Sequence, residues 1–195
     1  MNIRRSTLGI FLALVVVSAN GQGTFIYDQQ SSMDETSTPG GMVQLPFASG
    51  SGDGQSFTPT FSSVGFVRLL FVTGTGSATC YVNLRSASIN GPIIGTSDPA
   101  TANAFGPQTF FFSSPISVTP GTAYYFEPVE PSGTPWNVGV DHYNYGGGTA
   151  YYNGASQATD DYWFREGIIV PEPSSAALLV VVGGGVWITR RRIRL

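Results

Sequence analysis

The sequence predicts an all-β body, an antiparallel β-sandwich of jelly-roll type, with a short apolar helix at each end of the chain. Three observations predict it. Apolar residues in the middle of the chain recur with a period of two rather than 3.6. The segments that carry this pattern are short and are punctuated by 25 Gly and 13 Pro. Charged residues make up only 11% of the 195, too few for long surface helices or coiled coils. A closed barrel is the alternative architecture.

Taken in chain order, strands are expected over 25–28, 42–47, 55–58, 65–72, 77–85, 108–112, 116–118, 123–129, 136–141, 149–153 and 162–169. Thr73-Gly74-Thr75-Gly76 between the fourth and fifth reads as a hairpin turn. In the fifth, Ala78, Cys80, Val82 and Leu84 share one face while Thr79, Tyr81, Asn83 and Arg85 share the other, which places Cys80 in the core. Turn chemistry separates the strands, as in the glycine-rich run 49–54, Asn90-Gly91-Pro92, Pro120-Gly121 and Gly146-Gly147-Gly148. The length suits one domain plus appendages, with boundaries expected at 1–21, 22–169 and 170–195.

The first segment reads as an export signal. Arg4 and Arg5 precede the apolar run 8–17, and small residues at Val17-Ser18-Ala19 fit cleavage after Ala19, with cleavage after Gly21 as the alternative. The last segment has three parts in order. Pro171-Glu172-Pro173 forms a helix-averse spacer, residues 176–189 form a short apolar helix broken by three glycines, and Arg190, Arg191 and Arg192 form a cationic stop. Fourteen helical residues reach about 21 Å against a hydrocarbon core of about 30 Å, so the span is short for a permanent anchor.

This tail, from Val170 to Leu195, resembles a PEP-CTERM sorting signal, the kind processed by exosortase transpeptidases in Gram-negative bacteria that make extracellular polysaccharide. The resemblance implies cleavage near Pro171-Glu172-Pro173, an inner-membrane intermediate, and delivery of the body to the cell envelope, surface or extracellular matrix. Exosortase and the export machinery are then the partners. A simple single-pass membrane anchor is the alternative. A second likeness concerns the body. Gly54-Gln55-Ser56-Phe57-Thr58, the strands of 65–85 and Pro120-Gly121-Thr122-Ala123-Tyr124-Tyr125-Phe126 resemble jelly-roll modules of bacterial surface proteins and, in layout, carbohydrate-binding sandwiches.

Composition narrows the chemistry of the body. All nine basic residues are Arg, so lysine Schiff bases and the phosphate-loop lysine are excluded; one His and one Cys exclude His triads, Cys/His zinc sites and disulfide frameworks. Between residues 22 and 170 lie three arginines and eleven carboxylates, a net charge of −8 that makes nucleic acid an unsuitable partner. No catalysis is expected, and polysaccharide cleavage by a carboxylate pair is the rival.

Candidate binding residues cluster between 136 and 163. Trp136, Tyr143, Tyr145, Tyr151 and Trp163 offer flat apolar faces for sugar rings, with Asp and Asn groups beside them for hydroxyls, so polysaccharide is the candidate ligand. The competing reading puts these aromatics in the sandwich core. Asp141, Asp160 and Asp161 are candidate oxygen ligands for Ca²⁺, the one cofactor considered, although their spacing matches no EF-hand; solvated loop carboxylates are the alternative.

Overall fold

The computed structural model describes residues 23–171. The expected export helix, the apolar tail helix, and Glu172, Pro173, Arg190, Arg191 and Arg192 lie outside the described residues; Pro171 is the last of them. Phe25–Val170 forms one compact unit, and every regular element among the described residues is a β-strand.

In chain order the strands are β1 (Thr24–Gln30), β2 (Gly41–Gln44), β3 (Gly54–Phe57), β4 (Ser63–Gly74), β5 (Ala78–Ser86), β6 (Ile93–Thr96), β7 (Ala100–Ala102), β8 (Gly106–Ser117), β9 (Tyr124–Gly133), β10 (Trp136–Asp141), β11 (Ala150–Tyr152), β12 (Ala155–Gln157), β13 (Asp161–Tyr162) and β14 (Phe164–Val170). They form two seven-stranded antiparallel sheets, the arrangement of a β-sandwich. The first sheet runs β1-β14-β4-β10-β13, with β2 on β10 and β8 on β4; the second runs β12-β11-β3-β9-β5-β6, with β7 on β5.

Alternation along each strand decides what fills the space between the sheets. Leu69 and Phe71 of β4, Phe110 of β8, Val138 of β10 and Phe164 of β14 meet Phe57 of β3, Cys80, Val82 and Leu84 of β5 and Phe126 of β9. Each such side chain contributes about 1.5–3 kcal/mol of transfer free energy. Phe126 sits tilted on Phe164 at 5.2 Å and edge-on to Tyr162 at 6.1 Å, tying the two sheets through aromatic contacts. Cys80 is fully buried, as its place in the alternation requires.

The sheet assignment corrects one expectation. The segment Thr73–Gly76 is not a hairpin, because β4 and β5 belong to different sheets. It carries the chain across one end of the sandwich, and Gly74 is required there because the Trp136 indole lies where a side chain would start. Two segments expected as separate strands, 108–112 and 116–118, form the single strand β8. Pro115 is tolerated in it because β8 pairs on one side only within its sheet.

Candidate functional site

The stretch 136–163 does not form one surface; the fold distributes its residues over three environments. Trp136 points inward from β10, is 4% exposed and meets Phe71 edge-on at 6.0 Å. Trp163, at the junction of β13 and β14, lies on the outer side of the first sheet with Leu70 and Val72, yet is only 1% exposed. The segment 31–39 crosses over it. Trp163 Nε1 donates to the Asp34 carbonyl at 2.6 Å, and the Arg165 guanidinium stacks on the ring at 5.0 Å. Neither tryptophan has a free face, so both are corrected from sugar platforms to packing residues.

Tyr143 and Tyr145 are also claimed by packing. Tyr143 sits against the Leu70–Val72–Trp163 cluster, and burial, with Asp141 and Asp34 adding to it, pushes its phenol up to about 12. Tyr145 meets Phe164 edge-on at 5.1 Å, donates its hydroxyl proton to Gln29 Oε1 at 2.9 Å and accepts the Thr58 N–H at 3.4 Å. Burial raises its phenol too.

Tyr151 differs. Its neighbours Ala150 and Tyr152 point to the core, so Tyr151 stands on the outer face of the second sheet. There it meets Tyr125 of β9 edge-on at 5.6 Å, and burial together with Tyr151 raises the Tyr125 phenol. Sequence reading missed Tyr125. The signal was present, because Tyr124 and Phe126 share the inward parity in β9 and leave Tyr125 facing out.

The three aspartates separate in the same way. Asp141 and Asp160 line a depression of about 200 Å³ with Gly40, Gly41, Val140 and His142. Asp141 accepts the Gly40 and His142 backbone N–H groups, and these bonds hold its carboxyl below the usual range. Asp160 Oδ1 faces His142 Nδ1 at 3.1 Å. Asp161 instead points between the sheets, where it accepts from Gln55 Nε2 at 2.8 Å and from the Tyr145 N–H at 3.0 Å. The trio is therefore not one ligand set, and among the described residues no group of three His, Cys, Asp or Glu is placed to hold a metal ion.

Three buried glutamates, none of them singled out in the sequence, complete the polar interior. Glu127 lies under the loop that precedes β3, accepting Arg85 Nε and Nη2 at 3.0 and 2.7 Å, Asn83 Nδ2 at 3.0 Å, Ser49 Oγ at 3.0 Å and the Gly50 N–H at 2.5 Å. Glu130 accepts the Trp136 N–H at 2.9 Å through one oxygen, and its other oxygen has no partner. Glu166 is 0% exposed, and neither carboxyl oxygen makes a well-aligned hydrogen bond; the Asp28 carboxyl and the Gln29 N–H come near it. Parity within β14 was the available signal: Phe164 and Glu166 point the same way, into the core.

Comparison of the chain with protein-family models, with curated proteins and with solved structures gives no match.

Proposed function

We propose that this protein is an exported, exosortase-sorted component of the cell envelope or extracellular matrix, a jelly-roll sandwich that acts by structure and adhesion rather than by catalysis. One observation carries the reading: the compact unit ends with β14 at Val170, and Pro171-Glu172-Pro173 follows directly. Cleavage within that tripeptide would spare every strand from β1 to β14. The jelly-roll topology is supported by the way the chain passes between sheets, from β4 to β5 and from β8 through β9 to β10.

Binding is assigned to the outer face of the second sheet. Tyr125 and Tyr151 form an aromatic pair there, and a polysaccharide chain is the ligand whose apolar ring faces and hydroxyls suit it. Structural bonds engage both oxygens of Glu127, Asp141 and Asp161, which favours adhesion over carboxylate-driven cleavage.

Intact mass of the mature protein from envelope and medium fractions of its host tests the sorting step. Termini near Asn20 or Gln22 and near Pro171–Pro173 support it; a product that retains Arg190–Leu195 makes the protein a simple membrane-anchored one. Retention on the host's isolated polysaccharide tests the binding face. Loss on Tyr151→Ala or Tyr125→Ala with unchanged circular dichroism supports the assignment, and unchanged retention removes it.

A further inference from the structure

Among the described residues, Glu166 is the only carboxylate with both oxygens buried and neither in a well-aligned hydrogen bond; the polar groups that reach it are the Asp28 carboxyl and the Gln29 N–H of β1. A buried carboxylate in that condition is costly as an anion and tolerable as a neutral acid. Its setting is specific. Glu166 sits opposite Val67 of β4, on the inward face of β14, and β14 lies between β4 and the edge strand β1.

The charges around it are unbalanced. Asp28 of β1 is the acid that acts on it, and the Asp28 carboxyl accepts the Thr60 and Phe61 N–H groups at 2.7 and 2.8 Å and the Thr60 hydroxyl. The Gln29 N–H, also from β1, is the one nearby donor that favours the ionised form. The Tyr145 phenol approaches from the loop after β10, with Asp161 behind it. From β4 comes only the apolar Val67. Arg68 and Arg165 stand on the opposite face of the sheet, where both pair with Glu35 at 3.4 and 2.5 Å. No cation among the described residues offsets a charge on Glu166.

We propose that Glu166 and Asp28 form a proton-dependent latch that holds β1 against β14, shut while Glu166 carries its proton and released when it ionises. Burial first, and then the charge of Asp28, pushes the Glu166 carboxyl up to about 9, so the latch is shut at neutral pH and opens in alkali. Ionisation sets a buried negative charge against the Asp28 carboxyl across the β1–β14 seam with no counter-ion. β1 is the element able to leave, because β14 is its only strand partner in the sheet. Its departure would bare the β14 edge and uncover Phe66, which now meets Phe25 edge-on at 4.9 Å.

Hydrogen exchange of the full chain followed by mass spectrometry, corrected for intrinsic rates over pH 6 to 10, tests the latch. Protection of peptides from 24–30 should fall about tenfold per pH unit above the midpoint, the slope of one proton, while β5 and β9 stay protected. Glu166→Gln keeps the shape and removes the charge, so protection of β1 should persist at pH 10. An unchanged alkaline loss in that variant overturns the proposal, as does simultaneous loss in β5 and β9. In the wild-type chain, the infrared band of protonated carboxyl should disappear with the same midpoint as β1 protection. A mismatch overturns the proposal without any variant.

Discussion

Glu127 and Glu166 are both fully buried, one on each sheet, and their pKa values are shifted in opposite directions. Burial raises the pKa of each. At Glu127 this is more than offset by Asn83, Arg85, the Gly50 N–H and Ser49, so the carboxyl lies below its usual range and is ionised. At Glu166 nothing comparable answers it, and a neighbouring anion adds to the rise. Depth therefore does not set the charge of a buried acid in this protein; the donors that its neighbours bring do.

The largest effect is expected from removing the satisfied acid. Glu127→Ala leaves the Arg85 guanidinium buried without its carboxylate and should cost about 3–5 kcal/mol in urea denaturation at neutral pH. A loss under about 1 kcal/mol would mean that Arg85 relaxes to water and that the pair is not truly enclosed.

Next comes the dependence on pH. The folded pKa of Glu166 is raised from 4.5 to about 9, so its contribution is complete below pH 4.5 and is lost as pH rises through 9. Glu127 has the reverse sign, because a depressed folded pKa gives stability that is present above 4.5 and lost as pH falls through the folded value. The unfolding free energy should thus decline between pH 5 and 9, with a slope of up to about 1.4 kcal/mol per pH unit. Glu166→Gln should flatten that limb and leave the acid limb unchanged. An unaltered alkaline limb would assign the titration elsewhere.

Smaller changes refine the contrast. Tyr145→Phe removes a hydroxyl that bonds Gln29 and should cost about 1 kcal/mol by the same assay. Glu130 is the intermediate case, with one oxygen bonded to the Trp136 N–H and its pKa raised by burial. Glu130→Gln keeps an acceptor for that N–H and should shift stability by roughly 0.5 kcal/mol or less at neutral pH. A larger loss would show that Glu130 behaves like Glu127.

Parity was legible in the sequence and cover was not. The alternation of 78–85 placed Ala78, Cys80, Val82 and Leu84 in the core correctly, but it could not show that Asn83 and Arg85, on the outer face, would be buried beneath a loop from residues 49–53. Trp163 failed as a platform for the same reason, since the segment that covers it comes from about 130 residues earlier in the chain. The short strands β6, β7 and β12 were missed because three or four residues carry too little periodicity. The β11–β12 hairpin did carry a usable signal: Asn153-Gly154 takes positive φ at both residues, the backbone of a two-residue turn.

The neighbour relation between β1 and β14 also orders events in time. The first strand of the body to be made has no partner until the last one arrives, and bonds such as Phe164 N–H to Ser31 Oγ close a span of 133 residues. Loops that long form late. The body should fold slowly and remain open along this seam until β14 is in place, so that the sandwich closes only when the chain as far as Val170 is available.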